Sequence, residues 1–332
     1  MQNEARRIVI TAGIDTNPRN DTLDALRARC CVKEALTGYG YEVLEVDIVQ
    51  DEFSRDLEGM VRRIGDIGSY CVFNLFEGFA DDAAAEAVFV RAFEKKGIKF
   101  TGNGSATLEV CLDKSSTKKI LSQKGIKVPP GITVYGTRDV SGGEMKFPVF
   151  IKPVGEDASV GIDSRSFIRD EETLYRNIKA KLVEFPRGLI VEEFMPGREI
   201  NVGFMGDYPY ELVGVSVLDY SQMQGCAQYI GYSAKWKPDS EEYSRLLPEV
   251  VTRGEADITE RAVDISRAAA AALGCRGYFR VDLREKEREL YVLDVNPNPD
   301  ITPEGGFMRQ GCSGGASYGQ IINSIVKYAV EA

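Results

Sequence analysis

Residues 6–13 form a short β-branched run that ends in glycine, and residues 21–38 carry apolar positions at helical spacing. The alternation continues with a strand at 41–48, a helix at 51–67, a strand at 70–78, a helix at 81–96 and a further strand at 97–102. Strands separated by helices of this length predict a parallel α/β sheet with right-handed crossovers. Ligands of such sheets gather beyond the carboxyl ends of the strands, so residues 13–15 and 74–79 are expected to line a site.

The punctuation Val-Pro-Pro-Gly at 128–131 marks a change of pattern. Short strands at 148–154, 188–195 and 198–205 surround one helical run at 171–184, which reads as a small α+β lobe. The last third opens with a strand at 210–220 and passes into a long polar stretch, 221–244, expected to be a lid because structureless segments of this length are uncommon in compact domains. A helix at 259–273, two strands at 277–285 and 289–296 and a terminal helix at 318–330 complete the chain. The expected division is an N-terminal α/β domain at 1–113, a central subdomain at 114–200 and a C-terminal subdomain at 201–332.

Composition narrows the chemistry. The 332 residues hold 41 Lys plus Arg against 51 Asp plus Glu, a net charge of −10, which disfavours nucleic acid and anionic membranes as partners. There is no histidine, so histidine-dependent triads and histidine-ligated metals are excluded. Seven cysteines without a CxxC pair argue against a disulfide scaffold or a four-thiolate metal site, and most are expected to be small buried hydrophobes. No apolar run reaches membrane-spanning length, and the expected setting is cytoplasmic.

Three segments can carry chemistry. Phe150–Ile162 puts Lys152 on an apolar strand ahead of a loop of small residues that includes Ser159; the lysine is either an edge residue or a buried cation awaiting an anion. Neither a P-loop nor GxGxxG is present. At 191–199, Glu192 and Glu193 end a strongly apolar strand, and a Pro-Gly turn leads to Glu199. Adjacent strand residues face opposite ways, so one glutamate points inward unless this is a solvated strand end. The third segment places Arg280 and Asp282 two apart on one strand, and Asp294 and Asn296 two apart on the next. If these strands form a hairpin with 284–289 as its connection, one face carries three oxygen donors suited to Mg2+ beside one guanidinium. That face meets either water or a ligand, since its reverse is apolar.

The order of these motifs carries a resemblance. Asn-Leu-Phe-Glu-Gly at 74–78, Cys-Leu-Asp-Lys at 111–114, Ile-Lys-Pro at 151–153, Glu-Asp-Ala-Ser-Val-Gly at 156–161, the 191–199 segment, Ala-Lys-Trp at 234–236, the strand at 279–283 and Leu-Asp-Val-Asn-Pro-Asn-Pro at 293–299 together resemble the ATP-grasp superfamily, in its D-alanine:D-alanine ligase branch. The resemblance implies a three-lobed fold with ATP between the central and C-terminal lobes. It implies that Lys114, Lys152 and Lys235 reach the phosphates, that Glu192, Glu193 and Met195 face the adenine and Glu199 the ribose, with Ser159 in the phosphate loop. It further implies that Asp282, Asp294 and Asn296 hold Mg2+, or Mn2+ in its place, and that Arg280 stabilises a tetrahedral intermediate.

Departures from the family pattern fall on the substrate side. Ala158 and Gly305 stand where the family places serines, Trp236 where it places a tyrosine and Asp300 where it places glycine; residues 11–21 lack GGxSxE. The expectation is therefore an ADP-forming ligase that joins a small carboxylate to an amine through an acyl phosphate, with altered acceptor specificity. An authentic D-alanine:D-alanine ligase and a non-catalytic nucleotide-binding relative are the alternatives, a redox enzyme being disfavoured by the absence of dinucleotide glycines. A homodimer is compatible with this reading.

Overall fold

Three sheets organise the protein, seen here in a computed structural model that describes residues 6–16, 20–140, 145–218, 229, 249–250 and 256–331. The first is parallel, in the order β2-β1-β3, with β1 (Arg7–Ile14) between β2 (Glu42–Val49) and β3 (Cys71–Leu75). Helices α1 (Asn20–Gly38), α2 (Gln50–Asp66) and α3 (Ala85–Lys96) make the crossovers. The strand expected at 97–102 is reduced to one parallel bridge, Val72 to Phe100. Its continuation is stopped at Gly102, whose φ of +90° turns the chain against the Asn298 side chain. Helix α3 begins at Ala85, later than its pattern implies, because a bridge between Phe79 and Asp82 makes a turn of the preceding residues.

Two short helices, α4 (Ser105–Leu112) and α5 (Lys114–Gln123), then lead into the second sheet. Asp113 caps α5 by accepting from the backbone N–H groups of Ser115 and Ser116, which fixes Lys114 on the first turn. The second sheet is antiparallel, in the order β4-β7-β5-β6, with β4 (Gly131–Val134), β5 (Val149–Pro153), β6 (Phe167–Ile168) and β7 (Leu189–Glu193). Helix α6 (Glu171–Glu184) covers it, with Asp170 as its N-cap.

The third sheet is also antiparallel, in the order β10-β9-β8-β11-β12. It comprises β8 (Glu199–Met205), β9 (Glu211–Leu218), β10 (Glu249–Val250), β11 (Tyr278–Lys286) and β12 (Glu289–Pro297). One face packs on α7 (Ala256–Leu273), whose alanines Ala262, Ala269 and Ala270 are fully buried. The β11–β12 connection is tighter than the sequence implies: Glu287 and Arg288, both at positive φ, make a two-residue turn. Helices α8 (Gly306–Ser313) and α9 (Tyr318–Glu331) return to the first sheet, where Phe307, Ile321 and Ile325 join Ile8, Ile10 and Phe73 in one core.

Asn298, just beyond β12, fastens this return. Its Nδ2 donates to Glu86 on α3 at 2.7 Å and its Oδ1 accepts from the Asn103 N–H at 2.8 Å. Burial pushes the Glu86 carboxyl up to about 8, the Asn298 hydrogen bond opposing and the charge of Asp157 adding to the shift. Of the described cysteines, Cys71, Cys111 and Cys275 are buried, Cys31 is half-buried, and Cys30 and Cys312 are exposed on helix surfaces; Cys226 lies outside the described residues.

Candidate active site

A cavity of about 510 Å3 lies between the second and third sheets. Its walls carry Lys114, Lys152, Ser159, Glu192, Glu193, Met195, Glu199, Arg280, Asp282, Asp294 and Asn296, so residues spread over nearly 200 positions of sequence converge on one space. Lys235 and Trp236 lie outside the described residues, as does the stretch 221–244 except Tyr229. The Tyr229 hydroxyl donates to the Asp163 carbonyl at 3.0 Å and its ring meets Phe150 edge-on over the cavity.

Register explains the third-sheet wall. Asp294 pairs with Asp282, Asp282 with Asn201 and Asn201 with Ser216, so one polar row crosses four strands while the reverse face is core. Arg280, paired with Asn296 in the next row, donates from Nε to Asp282 Oδ1 at 2.7 Å and from Nη2 to Asp282 Oδ2 at 2.8 Å. Asn201 and Asn296 donate to the same carboxylate at 2.9 and 2.8 Å. Burial works against the Arg280 charge, but Asp282 at bidentate range outweighs it and raises the guanidinium pKa.

On the opposite wall, Glu192 occupies the central strand β7 and is buried, the inward glutamate of its pair; Glu193 is half-buried. Lys152 on β5 lies diagonally across from it, with Nζ 3.2 Å from Glu192 Oε1. Of the two readings of Lys152, the structure shows the buried cation, with Glu192 as a counter-ion inside the protein; it also donates to the Leu293 carbonyl at 3.2 Å. That carbonyl is available because a bulge between Asp282 and Leu283 leaves Leu293 as an extra residue on β12. Lys114 donates to the Glu156 carbonyl at 2.6 Å and to Asp157 at 3.0 Å, and lies 3.5 Å from Asp294. Burial would lower its pKa, yet Asp157 and Asp294 overcome this and keep it fully charged. For Asp294, burial raises the pKa, and Lys114, Lys152 and Lys118 together bring it below the ordinary value.

The loop after β5 holds Ala158 and Ser159 at φ of 53° and 63°, a left-handed pair that L-residues adopt at a cost of about 1–3 kcal/mol each. Buried Lys181 on α6 pins the loop's end by donating to the Gly161 carbonyl at 2.6 Å. At the ribose end expected from the motif, Glu199 accepts from Arg284 Nη2 at 3.1 Å, and Arg284 also donates to the Gly197 carbonyl. A side chain at Gly197 would put its Cβ 2.0 Å from the Glu285 carbonyl oxygen, so the turn before Glu199 requires glycine.

Asp282, Asp294 and Asn296 form a hard oxygen donor set suited to Mg2+. Asn296 donates its Nδ2 to Asp282, which leaves its Oδ1 for a cation. Among the described residues, no cluster of three or more carboxylate, thiol or imidazole groups offers a metal site. The site would therefore rest on two carboxylates, an amide and a ligand's own oxygens.

Residues 13–15 and 74–79 do not line this cavity. Their polar side chains are engaged by neighbouring residues, Asn74 accepting from Thr11 at 2.9 Å and Asp15 from the Ala80 N–H at 2.8 Å. The first sheet's neighbourhood contributes Arg27 of α1 instead. Sequence reasoning also missed Lys118, Asn201, Ser216, Arg284 and Arg309. Only Lys118 had a findable signal, its i+4 spacing from Lys114.

A parallel α/β unit followed by two antiparallel sheets that face each other across a cation- and carboxylate-lined cleft defines an ATP-grasp ligase fold. Solved structures agree: the D-alanine–D-alanine ligase of Bacillus anthracis complexed with ATP aligns with a TM-score of 0.77 at 21% identity over 98% of each chain. The VanG D-Ala:D-Ser ligase of Enterococcus faecalis aligns with a TM-score of 0.74 at 19% identity, covering 98% of this chain and all of that one. The D-alanine–D-alanine ligase of Desulforudis audaxviator is 28% identical over 98% of this chain and 99% of its own length. That of Gluconobacter oxydans is 29% identical over 90% and 91%. The family model "D-ala D-ala ligase C-terminus" matches residues 122–327, and the chain belongs to this family of ATP-dependent ligases that form carbon–nitrogen bonds. Among the described residues no helix is long and apolar enough to cross a membrane.

Proposed function

We propose that the protein joins a small carboxylate to an amine other than D-alanine, with ATP cleaved to ADP and phosphate. The nucleotide half rests on the convergence of Lys114, Lys152, Glu192 and Glu199 with the Asp282–Asp294–Asn296 set on one cavity. In this reading Glu192 and the backbone near Met195 meet the adenine, with Glu193 at its rim, Glu199 takes the ribose hydroxyls, and Lys114, Lys152, Lys235 and the Ser159 loop take the phosphates. Asp282, Asp294 and Asn296 would hold Mg2+ or Mn2+, which would supply charge neutralisation for the triphosphate.

Hydroxide is too poor a leaving group for direct condensation. A carboxylate oxygen attacks the γ-phosphorus, the bond to the ADP oxygen breaks, and an acyl phosphate forms. The neutral amine then attacks the acyl carbon; Arg280 faces the oxyanion that develops, and inorganic phosphate leaves as the amide forms and the amine proton is lost. Tyr229 above the cavity helps exclude water from the acyl phosphate.

The acceptor reading is carried by one observation. A Cβ built on Gly305 would stand 2.7 Å from Asp300 Oδ2, so the Asp300 carboxylate fills the space a side chain there would need. Asp300 is held in place by the Thr302 N–H at 2.7 Å and the Thr302 hydroxyl at 3.0 Å, and Glu304 lines the same end of the cavity. Two carboxylates there oppose an incoming α-carboxylate and favour an amine that lacks one. The names of the curated relatives favour a second reading, formation of D-alanyl-D-alanine itself.

Phosphate release with MgATP, D-alanine as carboxylate and a panel of acceptors separates the two. Carboxylate-free amines such as D-alaninamide are expected to exceed D-alanine in kcat/KM by at least about tenfold, and the double variant Asp300→Gly, Gly305→Ser to shift the preference toward D-alanine by a similar factor. D-alanine as the best acceptor of the unaltered enzyme would establish the second reading.

A further inference from the structure

Lys118 has no part in the scheme above. It lies one helical turn after Lys114 on α5, with a side chain only 13% exposed, and it does not reach the cavity wall. Its Nζ is 2.8 Å from Glu192 Oε2, while Lys152 Nζ is 3.2 Å from Glu192 Oε1. One buried carboxylate thus stands between two ammonium groups, Lys118 behind it and Lys152 in front of it, in the cavity.

This arrangement poses a charge problem that Lys118 resolves. If Lys152 turns from Glu192 toward a phosphate, a carboxylate with a side chain 5% exposed would be left without a counter-ion, and breaking a buried ion pair is strongly unfavourable. With the Lys118 ammonium 2.8 Å from the other oxygen, Glu192 keeps a counter-ion. Burial pulls the Lys118 ammonium down to about 8, Glu192 opposes this and Lys152 adds to it, so departure of Lys152 strengthens the remaining pair. A fixed, ionised Glu192 accepts from an exocyclic amine and repels a carbonyl oxygen at the same place on a purine.

We propose that Lys118 is a positioning residue for Glu192: it holds that carboxylate ionised and oriented, which frees Lys152 for the phosphates and selects a 6-amino over a 6-keto purine. The proposal rests on the nucleotide reading given above. Lys118 acts through Glu192 and touches no substrate itself.

Calorimetric titration with MgATP and MgITP tests it on the full-length protein, Lys118→Met, Lys118→Arg and Glu192→Gln, with thermal melts to establish folding. Lys118→Met is expected to weaken ATP binding by about tenfold and to lower the ATP-over-ITP preference by at least about fivefold, and Lys118→Arg to restore most of both. In the Glu192→Gln background, Lys118→Met is expected to leave the preference unchanged, because the group it acts through is gone. An unchanged preference in folded Lys118→Met overturns the proposal, as does an equal loss for both nucleotides that Lys118→Arg does not rescue. Should Lys118→Met not fold, a lost preference in folded Lys118→Arg, which keeps the charge, overturns it equally. Absence of MgATP binding by the unaltered protein would remove the nucleotide reading itself, and the proposal with it.

Discussion

Replacing Arg280 with methionine is expected to lower product formation by about 10²–10³-fold while changing the MgATP dissociation constant by less than about threefold. The split follows from where the guanidinium stands. Its Nε and Nη2 bind Asp282 bidentately, which fixes the plane of the group, and it lines the cavity in the row next to Asp294 and Asp282. A rigid, permanently charged donor contributes most where negative charge appears during reaction and little to a ground-state nucleotide. Asp282 would still be held by Asn201 and Asn296 after the substitution, so its geometry survives. Single-turnover formation of product, measured beside calorimetric MgATP binding, reads the two quantities apart. A parallel loss in both would assign Arg280 to holding Asp282 or the phosphates instead of the oxyanion.

The second large effect is expected at Asp294. Asp294→Asn keeps the shape of the side chain but removes the charge that faces Lys114 at 3.5 Å and one of two carboxylates of the proposed metal set. Lys114 retains Asp157, so the fold is expected to persist; the cluster nevertheless becomes more positive by one unit at its buried end. Turnover should fall at least about 10²-fold, and the Mg2+ concentration that half-saturates ATP binding should rise by about 10-fold or more. Titration of ATP binding with Mg2+ at fixed nucleotide measures the shift. An unchanged Mg2+ requirement would place the cation elsewhere.

What could be read in the sequence is what periodicity and spacing encode. The face shared by Arg280, Asp282, Asp294 and Asn296 follows from a period of two on adjacent strands, and the register places Asp282 opposite Asp294 as that spacing implies. The same rule turned one of Glu192 and Glu193 inward without saying which, and the structure buries Glu192. The bulge that turns the Leu293 carbonyl toward Lys152 has no such signature, because a bulge is a mismatch between two strands and belongs to neither alone. Asn201 and Ser216 stayed hidden within apolar strands, since their role arises only when β8, β9 and β11 align. Helices α4 and α5 are too short to show an amphipathic repeat, and with α5 unrecognised Lys118 looked like one surface lysine among several. Residues 13–15 and 74–79 followed a rule for open parallel sheets, but here the cleft belongs to the two antiparallel sheets.

Transfer of oxygen is the most direct test of acyl phosphate chemistry. With MgATP, carboxylate-labelled [18O]D-alanine and D-alaninamide as the probe pair, ADP, inorganic phosphate and amide are expected in equal amounts, with one 18O from the carboxylate in each phosphate. That atom can reach phosphate only if a carboxylate oxygen has bonded to the γ-phosphorus and then departed with it. Phosphate free of 18O, formed at the same rate whether or not the carboxylate and amine are present, would show simple hydrolysis of ATP and contradict the assignment of this cleft to a carboxylate–amine ligase.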